Sequence, residues 1–147
     1  MSMANLVPAG VNPSKEHQDV LLELAYLTTA ADGKLHDEEI DAFAQIVSRL
    51  RGKTATDAEV GALMSKFGKL HQSEIADRVQ AIAPTLPREL QAVAFKLAVG
   101  LGVADLDATE EESELQAVLA EALGFDDETV GELTDQVYAA LNAGDEE

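Results

Sequence analysis

The chain has no cysteine and no tryptophan among its 147 residues. The first absence removes disulfides, thiolate zinc sites and cysteine nucleophiles together, and it suits a reducing compartment, so a cytoplasmic location is expected. Aromatic residues make up only 4% of the chain. A core must then come from Leu, Val, Ile and Ala, a composition that favours helix over sheet. Long apolar runs are lacking too: the most apolar stretch, Leu90 to Ala104, holds Gln91 and Lys96 and is too short to span a bilayer. The segment Met1 to Pro13 has neither a basic leader nor an apolar core, so no secretory signal or membrane insertion is expected.

Basic residues are scarce, and their placement is uneven. The net charge is -18; every Lys and Arg lies at or before Lys96, and the fifteen acids beyond it face no Lys, Arg or His. Such a field repels phosphate backbones and anionic membrane surfaces, which argues against nucleic-acid binding. Cations and basic partner proteins are favoured instead. Acidic surfaces also keep proteins dissolved, and total charge alone does not separate the two uses.

What is present is helical periodicity. Hydrophobic residues amount to 46%, enough for one domain of this length. Ser14 can cap a first helix running to about Ala31, with Val20, Leu21, Leu24 and Leu27 as its stripe, widened by Leu22 and Ala25. A second helix starts near Asp37 and ends by Gly52. Thr56 to Glu59 has the spacing of a capping box before a third helix carrying Val60, Leu63, Met64 and Phe67. A fourth, from about Ser73 to Ala83, is bounded by Pro84. Pro87 opens a fifth that is apolar nearly all round and should be a second buried rod. Thr109 to Glu112 is another capping box, opening a sixth helix that Gly124 ends, and Asp126 or Asp127 caps a seventh ahead of an acidic tail from Gly144. No segment alternates with period two. The expected fold is all-α: a single-domain bundle of about seven helices, with an arm over 1–13, the helical domain over 14–142 and an acidic tail over 143–147.

Two stretches repeat without gaps, seventy-three residues apart. Leu24-Ala25, Ala31-Asp32, Glu38-Glu39 and Leu50 align with Leu97-Ala98, Ala104-Asp105, Glu111-Glu112 and Leu123. In each copy a buried helix runs into an Asp, and a Glu follows seven residues later at the start of the next helix. Asp32 and Asp105 thus fall where a helix C-terminus disfavours a carboxylate. Asp37, Glu38 and Asp41 crowd the first corner, and Asp107, Glu110, Glu111 and Glu114 the second. From Asp105 to Glu114, six of ten residues are acidic with no cation among them. Like charges at the spacing of Glu110 and Glu114 cost roughly 0.2–0.5 kcal/mol per exposed pair. A bound cation or a basic partner would supply what is missing. Helix capping alone accounts for Glu39, three residues after His36, and for Glu112, three after Thr109, while Asp32 before Gly33 reads equally as a turn former. Capping does not require an Asp seven residues before the Glu in both copies.

Hard cations such as calcium or magnesium suit these ligands. The spacing is not that of an EF-hand, because the sixth position from Asp105 is Glu110 and the twelfth Gln116. The candidate metal ligands are Asp32, Glu39, Asp105 and Glu112, brought together from both corners. Ala31-Asp32-Gly33-Lys34-Leu35 with Glu38-Glu39, and Ala104-Asp105-Leu106-Asp107 with Glu111-Glu112, resemble the TerB-like tellurite-resistance domain over roughly residues 15–142. The family is similar also to the N-terminal domain of membrane-anchored J-domain co-chaperones. The resemblance implies an all-helical domain with two central buried helices, a stress-response or scaffold role, a metal-binding acidic site at Asp32, Glu39, Asp105 and Glu112, and no established catalytic activity. Leu106 departs from the second copy's usual Gly.

Other chemistry is poorly represented. His17, His36 and His71 form no pair at helical spacing for zinc. Neither a Gly-rich phosphate loop nor a Gly-x-Ser-x-Gly elbow occurs. Two non-enzymatic readings follow: a divalent-cation module of stress response, and a metal-free acidic module for a basic partner. A metal-dependent hydrolase would need an open cleft between the corners.

Overall fold

The computed structural model describes residues 6–7, 11–29, 37–68, 72–103 and 110–145. Among the described residues there are seven α-helices and no strand: α1 (Lys15–Thr29), α2 (Asp37–Arg51), α3 (Asp57–Phe67), α4 (Gln72–Ile82), α5 (Arg88–Val103), α6 (Glu110–Leu123) and α7 (Asp127–Asp145). A 3-10 turn at Ala83–Thr85 joins α4 to α5, with Pro84 inside it. The all-α expectation holds, in one compact bundle.

Two helices form its centre. In α1, Leu21, Leu22 and every residue from Leu24 to Thr28 are buried; in α5, Val93 to Phe95 and Leu97 to Leu101 are. A helix apolar all round has no solvent face to offer, so each must be covered on several sides. α1 accordingly packs on α2, α3, α4, α5 and α6, and α5 on α1, α2, α6 and α7, with the α1–α5 pairing the most extensive. The outer helices are one-sided: α2 turns Ala42, Phe43, Ile46, Val47 and Leu50 inward and leaves Asp41 and Gln45 outside. Each fully buried Leu, Ile or Phe contributes about 1.5–3 kcal/mol of transfer free energy.

The duplication in sequence recurs in the order and pairing of the helices. α1 and α5 begin seventy-three residues apart, as do α2 and α6. Contacts repeat as well: α1 on α2 and α3 is matched by α5 on α6 and α7, and α1 on α6 by α5 on α2. One polar contact recurs. Gln18 Nε2 donates to the Pro13 carbonyl at 2.9 Å, and Gln91 Nε2 to the Leu86 carbonyl at 3.1 Å, five residues back in each copy. α2 and α6 also end alike, at Gly52 and Gly124, whose φ values of 74° and 77° a side chain would strain. The amides of Lys53 and Phe125 then close onto the Ser48 and Ala120 carbonyls.

Two details differ from the sequence reading. Leu6 and Val7, within the arm, are buried in the core, and Arg49 donates to the Val11 carbonyl at 3.3 Å. α7 runs on to Asp145 and so carries Gly144 within it.

Candidate functional site

The helices that flank the two acidic segments lie among the described residues. The N-terminal ends of α1 and α5 share a cavity of about 360 Å³ lined by Ser14 and His17 from one and Pro87, Glu89 and Leu90 from the other. Helices that begin together and pack along one another run in the same sense, and at 1.5 Å per residue each carries the chain about 22 Å away from that cavity. The ends of α1 at Thr29 and of α5 at Val103 therefore point toward the opposite end of the bundle. α2 returns antiparallel to α1: Arg51, in its last turn, pairs with Asp19 in the first turns of α1 at 2.8 Å and also with Gln18. The start of α2 is accordingly at the corner end. The matching start and contacts of α6 give it the same relation to α5.

Asp32 and Asp105 lie outside the described residues, as do the cap residues His36 and Thr109. Glu39 falls in the first turn of α2 and Glu112 in the first turn of α6, with their side chains outside the description. Both glutamates occupy helix N-terminal turns, where the macrodipole favours a carboxylate. Asp41 and Glu114, matched across the duplication, are exposed on the same helices. Among the described residues no group of three or more His, Asp or Glu could hold a metal ion.

Elsewhere two charged groups serve the architecture. Arg78 of α4 grips Glu23 of α1 with two bonds, Nε to Oε2 at 2.6 Å and Nη2 to Oε1 at 3.0 Å. That hydrogen bond raises the guanidinium above its ordinary value, against the opposing effect of desolvation. Asp126 caps α7 by accepting the Thr129 amide at 2.8 Å. Bonding from Thr129, side chain first and amide second, holds its carboxyl below the ordinary value.

One feature escaped the sequence. A groove of about 420 Å³ opens between α5, α6 and α7, with Phe95, Ala120, Phe125 and Val130 in its lining. Alignment of the two copies holds its signal, since Gln116 and Ala120 stand where the first copy has Phe43 and Val47.

No protein-family model matches the chain, and no curated protein or solved structure matches it. None of the described helices is long and apolar enough to cross a membrane.

Proposed function

We propose that the chain is a non-enzymatic, cytoplasmic stress-response module of the TerB-like kind that binds a divalent cation, calcium or magnesium, through Asp32, Glu39, Asp105 and Glu112. The observation that carries this reading is the duplication: two acidic segments seventy-three residues apart in the sequence, each following a central helix, with the two helices starting side by side. Two turns related in that way can contribute ligands to one ion, and hard cations take carboxylates from separate segments readily. The charge that crowds each turn is then offset when the ion binds.

Calorimetric titration of the chelator-treated protein with calcium, magnesium and manganese tests it. A saturable heat with at least one ion is expected, weakened about tenfold or more in Asp105→Asn, whose helix content should be unchanged. Silence with all three ions overturns the reading.

The run of fifteen acids after Lys96 without a base favours a second reading, a metal-free module for a basic protein partner. Under it the same carboxylates meet Lys or Arg, and chelator has no effect on partner binding.

A further inference from the structure

The groove between α5, α6 and α7 owes its existence to a divergence between the two copies. Phe43 and Val47 are both fully buried in the first. Their counterparts Gln116 and Ala120 are smaller or polar, and the side-chain volume that fills the first copy is missing from the second. The connection also differs. α3 begins at Asp57, which matches Val130, whereas α7 begins three residues earlier at Asp127 and frames the opening.

The chemistry of this space is specific. Its apolar wall is the buried ring of Phe95 meeting Phe125 edge-on, with centroids 6.0 Å apart and planes at 90°. At the mouth stand two exposed carboxylates, Glu121 and Asp127, and no base lines the groove. Gln116, half-buried, adds a polar amide to the lining. The Thr134 hydroxyl donates its proton to the Val130 carbonyl at 2.8 Å and can still accept. A volume of about 420 Å³ falls within the range of small-molecule sites.

We propose that this groove binds a small organic cation: an apolar body of aromatic size held against Phe95 and Phe125, carrying a protonated amine that lies between Glu121 and Asp127. An anion would be repelled at the mouth, and a neutral ligand of the same shape would leave both carboxylates without a counterion. The inference does not depend on the cation site proposed above.

The test follows amide chemical shifts of the full chain titrated with naphthylmethylamine, naphthylmethanol and naphthoate. The amine should shift residues of α6 and α7 around the groove, the alcohol should bind about tenfold more weakly, and the naphthoate should not bind. Gln116→Phe with Ala120→Val, which restores the residue types of the first copy, should abolish amine binding; Glu121→Gln with Asp127→Asn should reduce it to the level of the alcohol. The proposal is overturned if amine and alcohol bind alike, if the shifts scatter over the whole acidic surface, or if the charge-neutralised variant binds the amine unchanged. That last variant decides the matter even if the filled one does not fold. Saturating calcium should leave amine binding unaltered, which separates this site from the cation site proposed above.

Discussion

At Gly68, directly after α3, an added methyl would lie 2.9 Å from the Met64 carbonyl and 3.0 Å from the Tyr26 hydroxyl. Tyr26 cannot swing aside freely, because its ring is held against Phe43 and Phe67 at 6.1 and 5.9 Å. Gly68→Ala should therefore cost about 1–3 kcal/mol in urea denaturation. Gly61, in the middle of α3 with nothing within 4 Å of a built methyl, gives the opposite sign: Gly61→Ala should gain about 0.5–1 kcal/mol, since only the entropy of the unfolded chain changes. Equal effects at the two positions would show that the space around Gly68 is not what limits it. A second residue-scale expectation concerns Asp126, whose carboxyl is depressed by its bonds from Thr129. A group lowered in the fold contributes stability that is present above the unfolded value of about 4 and disappears as pH falls through the lower folded value. Asp126→Asn keeps the cap but loses the charge at the start of α7. Its urea midpoint should lie below that of the wild type at neutral pH and converge with it in acid; a gap that stays constant with pH would assign the difference to something other than ionisation.

Among elements, what was legible in the sequence was whatever repeats every three or four residues. The stripes of α2 and α3, the nearly all-round apolar surface of α5, the Thr56 cap that accepts the Glu59 amide at 3.1 Å, and the stop at Gly124 are all local signals, and the structure keeps them. The burial of Leu6 and Val7 was not legible, because two apolar residues carry no period. The tie between α1 and α4 was not legible either. Arg78 and Glu23 are distant in sequence and meet only when the bundle closes. Their relative weight can be argued. Arg78 is nearly half exposed, so its pairing should couple by only about 0.5–1 kcal/mol in a double-mutant cycle with Glu23→Gln. Val79, one residue on, is fully buried in the core, and Val79→Ala should cost about 1–3 kcal/mol. A coupling energy larger than the Val79 loss would mean that the ion pair, rather than apolar burial, fixes α4 on α1.

For the molecule as a whole, the sequence exposed the duplication and its acidic segments but not the sense in which the two central helices run. The cavity shared by Ser14, His17, Glu89 and Leu90 supplies that sense. Its consequence can be separated from the general effect of a net charge of -18. Self-repulsion destabilises a compact polyanion, and raising ionic strength from 0.01 to 0.15 M shortens the screening length from about 30 to about 8 Å, so sodium chloride alone should raise the melting temperature. A site-bound ion adds to this in proportion to its saturation: free calcium at about a hundred times its dissociation constant contributes about 2.7 kcal/mol, or roughly 5–10 °C for a chain of this size. The melting temperature in calcium chloride should therefore exceed that in sodium chloride of the same ionic strength. In Asp105→Asn the salt response should survive while the calcium increment shrinks, and without calcium the variant should melt slightly above the wild type, because one of the crowded charges is gone. If sodium chloride at matched ionic strength reproduces the entire calcium shift, the acidic turns gather only a diffuse ion atmosphere, and the reading that remains is the one in which they meet a basic partner.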